Sequence, residues 1–293
     1  MSAVDGAEAD MAGADPMAPQ AAAIGAEALT AATEVAVERW VRGETTRTTD
    51  RVAEEAPVAL MYHGVPHVVM LATPADLVDY AYGFTLSEEL VASADEIRDV
   101  EVQPTSEAVE VRISIAWERF PELLRRRRNL TGRTGCGLCG AETVAEAIRD
   151  RSRAGTGPRV GAAELHAAIV QLESLQPLNS RTGSVHAAAW VVPGRGICCV
   201  REDVGRHNAL DKVIGALVRA RMDFGAGYLL VTSRASYEMV QKAATVGIGF
   251  LAALSAPTAL AIRYAERNGV TLVAFARRDR HVVYTHPQRL EAA

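Results

Sequence analysis

The chain has 293 residues, of which 49% are hydrophobic and 23% charged, and its formal net charge is -5. This composition is typical of a soluble protein that buries one large core or two moderate ones. The acidic balance argues against a protein that coats nucleic acid, because phosphate neutralisation needs a basic face. Four cysteines are too few for a disulfide scaffold at this length, so a reducing, cytoplasmic compartment is expected.

Neither the N-terminus nor the longest apolar stretch indicates a targeting or membrane segment. Acidic residues interrupt the first fifteen positions, which therefore lack the basic start and continuous apolar core of a signal peptide. The longest apolar stretch, 246–265, contains Ser255, Pro257 and Arg263, which favours a soluble core over a membrane span. We therefore expect no membrane association.

The first half of the sequence predicts an arm followed by a strand-rich lobe. Residues 1–34 are mostly small or acidic and predict a disordered arm, because they cannot bury enough surface to offset the entropy of ordering. A smaller lobe is predicted over 35–130, with a helix at 73–82 that has Thr73 as its N-cap and ends at Gly83. Alternating apolar residues predict strands at 35–40, 58–62, 67–71 and 109–115.

The second half, 161–293, alternates helices and strands and so predicts a layered α/β domain with a partly parallel sheet. The strands are predicted at 186–192, 197–202, 228–232, 250–254 and 270–275. The helices are predicted at 162–175, 208–221, 236–245 and 257–268.

A glycine-rich loop and short helix at 131–160 carry the cysteine pair Cys136 and Cys139. This spacing suits a metal site, a redox disulfide or a persulfide carrier, and the spacing alone does not choose among them. Structural zinc would need two more ligands, but Cys198 and Cys199 are adjacent on a predicted strand, where their side chains point to opposite sides. Nearby arginines and a following helix N-terminus favour the thiolate, so a mobile, reactive cysteine that carries sulfur is the preferred interpretation.

Basic and small polar residues follow the ends of several predicted strands, where ligands of open α/β sheets gather. Each group alone is explained by ordinary helix capping. Several such groups at one sheet edge predict a crevice for a phosphorylated or pyrophosphate-bearing ligand, because helix N-termini bind anions. The candidate ligand-binding residues are Arg206, His207, Ser233, Arg234, Phe275, Ala276, Arg277, Arg278, Asp279 and Arg280.

Four sequence blocks together make the chain resemble the formate dehydrogenase accessory sulfurtransferase family, FdhD. The blocks are Arg-Thr-Gly-Cys-Gly-Leu-Cys-Gly at 133–140, the segments 202–215 and 233–244, and Ser-Ala-Pro at 255–257. The resemblance runs from about residue 35 to residue 290. The chain differs from the usual family sequence at two positions, because Ser184 and Ser233 stand where the family commonly has glycine. This matters for the backbone, since only glycine adopts positive φ freely.

The resemblance implies a function as well as a family. Members of this family are cytoplasmic proteins that receive sulfur from a cysteine desulfurase. They pass it to the molybdenum or tungsten bis-molybdopterin guanine dinucleotide cofactor of formate dehydrogenase. Cys136 would then bear the persulfide, Cys139 would assist or relay, and 275–280 would hold the cofactor. The resemblance also implies a homodimer, and no resident metal site is predicted.

The fold implied by the resemblance is a cytidine-deaminase-like three-layer domain with a smaller strand-rich N-terminal lobe, and the order of elements from residue 162 suits it. A working deaminase needs His-x-Glu at one helix start and Pro-Cys-x-x-Cys at the next. Gly-Arg-His-Asn at 205–208 and Ser-Arg-Ala-Ser at 233–236 stand there instead, so we do not predict deaminase activity. A non-catalytic cofactor chaperone and a dithiol redox protein are the alternatives to a sulfurtransferase.

Overall fold

The structure is a computed structural model that describes residues 30–106, 108–128, 155 and 157–292. Cys136, Cys139 and the helix predicted after them lie outside the described residues, as does most of the N-terminal arm. Within the described ranges, no helix is both long and apolar enough to cross a bilayer.

The described chain begins with a hairpin that forms a two-stranded sheet of its own. Strand β1 (Ala32–Val41) pairs antiparallel with β2 (Glu44–Ala53) through ten residue pairs. Arg42 and Gly43 close the turn with φ of 52° and 90°, as a two-residue hairpin turn requires. Residues 32–34, predicted to belong to the disordered arm, are therefore part of a strand. Strand β2 was not predicted, because its threonines and charged residues lack an apolar alternation.

The N-terminal lobe contains a four-stranded sheet. Its strands are β3 (Ala56–Tyr62), β4 (Val65–Ala72), β5 (Ile97–Pro104) and β6 (Val109–Ile115), in the order β4-β3-β6-β5. The sequence predicts three of these strands but not β5. Helices α1 (Leu77–Ser87) and α2 (Phe120–Arg128) accompany it. Alternate residues such as Leu60, Val111 and Ile113 face one apolar core, which explains why this pattern predicted strands correctly.

The second half of the chain follows the predicted order of elements, with boundaries within two residues of the prediction. A short strand β7 (Val160–Gly161) precedes it and pairs with β14 (Leu290–Glu291) near the end of the chain. Between them lie α3 (Ala162–Ser174), α4 (Asn179–Thr182), β8 (His186–Val192), β9 (Gly196–Asp203), α5 (Arg206–Arg219), β10 (Tyr228–Val231), α6 (Tyr237–Thr245), β11 (Phe250–Ala253), α7 (Ala259–Arg267), β12 (Thr271–Ala274) and β13 (Val282–Thr285). Helix α4 and strands β7, β13 and β14 were not predicted.

These elements form three layers around a six-stranded sheet of order β13-β12-β11-β10-β8-β9. Strands β10, β11 and β12 are parallel, and their neighbours β8 and β13 are antiparallel to them. Trp190 and Leu229 face a core shared with α5, α6 and α7, whereas Tyr228 and Phe250 face a second core under α3. The carboxyl ends of the parallel strands therefore open on one edge, which is the edge where the predicted ligand residues lie.

The predicted bounds of the first helix are wrong at both ends. Helix α1 begins after Asp76, not after Thr73, and continues past Gly83 to Ser87. Thr73 is buried, where its N–H donates to Asp203 Oδ2 at 3.0 Å and its hydroxyl accepts from the amide of Val204 at 3.2 Å. Gly83 lies inside the helix, at the point where the backbone of α5 passes against it. Both residues contact the second half of the chain, and neither of them marks an end of α1.

A seam of buried charges joins the N-terminal lobe to the second half of the chain. Lys212 Nζ lies 2.6 Å from Asp203 Oδ2, with both side chains fully buried, and donates to the carbonyl of Thr73 at 2.9 Å. Lys242 of α6 donates to Asp211 of α5 and to Ser87 of α1. Each charged group thus depends on partners from both parts of the chain.

Candidate ligand-binding site

A cavity of about 560 Å³ opens at the carboxyl ends of β10, β11 and β12. Thr232 follows β10, Ser255 follows β11 and the segment 276–280 follows β12, and all of them line this cavity. Ile169 and Glu173 of α3 form the opposite wall. Five of the ten predicted ligand residues therefore lie together at one cavity.

The segment 275–280 is a tight turn that is fixed to the sheet edge. The amides of Phe275 and Ala276 donate to the carbonyls of Ser255 and Ala253, and the amide of Arg277 donates to the carbonyl of Arg280 at 2.7 Å. Phe275 has φ of 49°, a left-handed conformation that is unusual for a bulky residue, and its side chain is 43% exposed. Strained residues of this kind concentrate at ligand sites, because the surrounding structure holds them there. The turn presents an exposed aromatic ring next to three guanidinium groups.

The three arginines of this turn have different partners. Arg277 donates to the carbonyls of Leu254 and Ala276, so its guanidinium is held against the sheet. Arg278 makes two hydrogen bonds to the carboxylate of Glu173. Arg280 is exposed, and its guanidinium forms no ion pair with any residue the structure describes. Arg280 is therefore the cation of this turn that is available to an anionic ligand.

A histidine pair fastens the end of the same segment to α3. His166 Nε2 lies 2.9 Å from His281 Nδ1, so one ring donates to the other. Burial lowers the pKa of His281, and the neighbouring His166 lowers it further. Together with the Arg278–Glu173 pair, this contact sets the position of the turn relative to α3.

A second polar cluster lies along the same sheet edge, at the starts of α5 and α6. His207 Nε2 is 2.7 Å from Glu238 Oε2. Arg206 Nε, Ser236 Oγ and Glu238 Oε1 are buried without a hydrogen-bond partner among the described residues. Nearby, burial and the charge of Arg206 lower the pKa of His186. Buried polar atoms in proteins are normally satisfied, so this set of donors and acceptors favours a polar ligand.

The remaining predicted ligand residues are placed less favourably. Ser233 is buried and its hydroxyl donates to the carbonyl of Arg234, which leaves it unavailable to a ligand, whereas Arg234 is exposed. Arg206 and His207 follow β9, whereas the turn at 275–280, hereafter the arginine turn, follows β12. These strands are four spacings apart in the sheet, which is roughly 19 Å at about 4.8 Å per spacing. The structure thus divides the predicted residues into two groups on one edge.

Two serines that replace the family's glycines cause no backbone strain. Neither Ser184 nor Ser233 has a positive φ, and the adjacent Gly183 is the residue that adopts φ of 64°. The sequence departure is therefore compatible with this local backbone.

Sequence reasoning missed the α3 side of the cavity. His166, Ile169 and Glu173 share one helix face, since residues three and four positions apart are neighbours on a helix. Nothing in the sequence indicated that this face meets the arginine turn. The cysteines within the described ranges behave as predicted for strand residues: Cys198 is exposed, and burial raises the pKa of the Cys199 thiol.

The described residues contain no group of three or more His, Cys, Asp and Glu side chains arranged to hold a metal ion. The fold and the crevice define an α/β protein with a cationic cavity at the carboxyl ends of its parallel strands. Comparison with known proteins then gives the family. The model of the FdhD/NarQ family matches residues 53–291, and the chain belongs to this family.

Relatives and a solved structure extend this match over most of the chain. The chain is 52% identical over 256 residues to a protein of Cupriavidus necator named sulfur carrier protein FdhD, covering 87% of this chain and 89% of the relative. A protein of the same name from Xanthomonas euvesicatoria is 50% identical over 255 residues, covering 87% and 91%. The crystal structure of a protein from Desulfotalea psychrophila, described as a formate dehydrogenase accessory protein, is similar with a TM-score of 0.72. That likeness covers 89% of this chain and 100% of the other at 24% identity, and it supports the fold.

Proposed function

We propose that this protein is a cytoplasmic sulfurtransferase that takes sulfur from a cysteine desulfurase and delivers it to the molybdenum or tungsten bis-molybdopterin guanine dinucleotide cofactor of formate dehydrogenase. The observation that carries the proposal is identity of about half of all residues with relatives named sulfur carrier protein FdhD, over 87% of the chain. The cationic crevice supports the cofactor half of the proposal, and the cysteine pair supports the sulfur half.

The cofactor is the substrate, and the crevice has groups that suit its guanine dinucleotide arms. The exposed guanidinium of Arg280 suits a phosphate, because charge-assisted hydrogen bonds to phosphate are among the strongest in proteins. The exposed ring of Phe275 suits stacking with a flat base. The unpartnered atoms of Arg206 and Glu238 supply a further donor and acceptor for polar groups of the same ligand.

Cys136 carries the sulfur in this proposal. Its thiolate attacks the outer sulfur of the donor's cysteine persulfide, a new S–S bond forms, and the donor's own S–S bond breaks so that the donor leaves as a thiolate. No external oxidant or reductant is needed for this exchange. Cys139 assists by relaying sulfur or by accepting it from Cys136. The nearby arginines in the sequence favour the thiolate form that the attack requires.

The three-layer arrangement of α3, the six-stranded sheet and α5 to α7 supports the cytidine-deaminase-like description of residues 161–293. The helix starts that hold zinc in a deaminase here contain Arg206, His207, Ser233 and Arg234. Those starts instead face the polar edge described above, which supports ligand binding in place of hydrolysis.

The first experiment is intact-protein mass spectrometry after incubation with a cysteine desulfurase and L-cysteine. We expect an adduct of about 32 Da on wild type that is lost in Cys136→Ala, since the persulfide forms on the activated thiolate. Cys198→Ala, which removes an exposed cysteine outside the pair, is the matched control and should retain the adduct. An adduct that survives Cys136→Ala would contradict the assigned site.

Two other outcomes would favour the alternative functions. If wild type gains no sulfur but binds GDP, the non-catalytic cofactor chaperone replaces the sulfurtransferase. If wild type gains no sulfur and instead loses about 2 Da reversibly, with the loss absent in Cys139→Ala, the protein is a dithiol redox protein.

A further inference from the structure

We propose that the surface formed by His63, Trp117, Phe120 and Arg125, hereafter the α2 surface, is where the sulfur donor docks, and that the donor meets it with acidic side chains. The inference rests on the proposed function, because it assigns a contact surface to the donor in that function. Trp117 lies in a single helical turn between β6 and α2, and 67% of it is exposed. Tryptophan and arginine are the residue types most enriched at the centres of protein–protein contacts.

The ring of Trp117 is held in place by its neighbours. It stacks on His63 with ring centroids 4.2 Å apart, and its edge contact with Phe120 has centroids 5.5 Å apart. His63 is itself fixed, because its Nε2 lies 2.9 Å from the carbonyl oxygen of Ile115. A single exposed apolar side chain is ordinary on a protein surface. A fixed tryptophan backed by two further rings instead suits a binding hot spot, because little side-chain entropy is left to lose on contact.

The same surface is positively charged in a chain that is acidic overall. Helix α2 contains one glutamate and four arginines, at 125–128, whereas the whole chain has a net charge of -5. The side chain of Arg125 is 71% exposed and pairs with Glu122 at 3.0 Å. Exposed pairs of this kind contribute little stability, so a carboxylate of a partner can take the place of Glu122. The positive charge therefore favours a partner with an acidic surface.

Ordinary helix capping explains only part of this surface. The helix dipole favours arginine at a helix C-terminus, which accounts for basic residues at the end of α2. It does not account for an exposed tryptophan at the other end. Arg125 follows Phe120 by about 7.5 Å along the helix axis, at about 1.5 Å per residue. One partner of ordinary size covers a patch roughly 30 Å across, so it meets the aromatic and the basic residues together.

The place of this surface along the chain suits the donor. Helix α2 ends at Arg128 and Cys136 follows eight residues later, so the two are at most about 28 Å apart, at roughly 3.5 Å per residue. A patch roughly 30 Å across on α2 thus brings its occupant within reach of Cys136. The donor's persulfide must meet Cys136, whereas the acceptor's cofactor is assigned to the cavity at the ends of β10 to β12.

The test measures the initial rate of adduct formation by intact-protein mass spectrometry, with L-cysteine and a limiting amount of a cysteine desulfurase. We expect Trp117→Ala to lower this rate about tenfold, since truncation of an aromatic hot spot commonly weakens binding by that factor or more. Arg125→Glu should lower the rate and also make it less sensitive to ionic strength, because attraction to an acidic partner is lost. Arg263→Glu is the matched control: this exposed arginine lies on α7, so the same charge change there should leave the rate unchanged.

Three further readouts separate lost docking from damage to the fold. Both variants should keep nearly the wild-type unfolding temperature, because Trp117 and Arg125 belong to none of the apolar cores of the described residues. Both should also keep the wild-type affinity for GDP, since the cavity lies in the second half of the chain. Saturating desulfurase should restore the rate, because docking and not the thiolate has changed. If Trp117→Ala lowers the unfolding temperature, Arg125→Glu decides the test by itself.

The outcomes distinguish this inference from the proposed function. If wild type gains sulfur and both variants gain it at the same rate, the α2 surface is wrong while the proposed function stands. The inference is equally overturned if the loss persists at saturating desulfurase, or if the variants are loaded normally but no longer bind formate dehydrogenase, since the acceptor would then occupy this surface. If wild type gains no sulfur, the proposed function fails and the docking surface fails with it.

Discussion

The arginine turn shows how one short segment divides its charges between structure and binding. Arg277 is bonded to main-chain carbonyls of Leu254 and Ala276, and Arg278 is held by Glu173 of α3. These contacts keep the turn in place when no ligand is bound, so less ordering is needed on binding. Arg280 is exposed and is the residue to which the proposed function assigns a phosphate of the ligand.

Replacing Arg280 with alanine should weaken GDP binding about tenfold or more, because a hydrogen bond to a charged group contributes roughly 1.5–3 kcal/mol. Isothermal titration with GDP measures the effect. Arg112→Ala is the control, since Arg112 is an exposed arginine on the N-terminal lobe that pairs with Glu110. Equal losses in the two variants would show that Arg280 acts through overall charge and not through a contact.

The histidine pair should make stability depend on pH in a defined direction. Burial and the neighbouring His166 lower the pKa of His281 below its ordinary value. Burial and the charge of Arg206 lower the pKa of His186 in the same way. A histidine of an unfolded chain has a pKa of about 6.5. The stabilisation from the neutral rings is therefore complete above that pH and is lost as the pH falls through it and below.

We accordingly expect the thermal unfolding midpoint to decrease when the pH is lowered from 7.5 to 5.5. The decrease should be smaller in His281→Gln, because glutamine keeps a hydrogen-bonding side chain but cannot titrate. Differential scanning fluorimetry in buffers of constant ionic strength provides the measurement. A pH dependence of the same size in His281→Gln would remove the pair as its source.

At the scale of elements, two glycines set the contact between α1 and α5. A Cβ on Gly83 would lie 1.7 Å from the carbonyl oxygen of Asp211, and a Cβ on Gly215 would lie 1.8 Å from that of Asp79. Each helix thus presents a glycine to the backbone of the other. Any side chain there would force the helices apart and disturb the buried charges between them.

Gly83→Ala should destabilise the protein by about 3 kcal/mol or more, at the upper end of overpacking effects, because backbone atoms and not a flexible side chain are in the way. Gly225→Ala is the control, since the atoms nearest to its Cβ would belong to the side chain of Asp223, with Oδ1 at 3.3 Å. Urea unfolding followed by circular dichroism gives both values. If Gly83→Ala changed the midpoint no more than Gly225→Ala, the close helix contact would be wrong.

At the scale of the whole molecule, the buried seam makes the N-terminal lobe and the second half of the chain depend on each other. Lys242 is almost fully buried, which opposes its charge, yet the carboxylates of Asp211 and Glu88 more than offset this and raise its pKa. Glu88 follows α1, whereas Asp211 and Lys242 belong to α5 and α6. Separating the two parts would leave buried charges without partners, which typically costs several kcal/mol. Helices α5 and α6 are thus held by partners from both sides of the seam.

The amino-acid sequence by itself determined the alternation of strands and helices from residue 162 onward, because apolar periodicity is a local property of each segment. It also determined that 275–280 would lie at the edge where the parallel strands end, since parallel strands end on the same side of their sheet. Only the tertiary structure decided the roles of Thr73 and Gly83, because these residues contact residues about 130 positions away along the chain. It likewise decided that Glu173 and His166 would face the arginine turn. Such contacts depend on how distant elements pack, and no local pattern of residues encodes that packing.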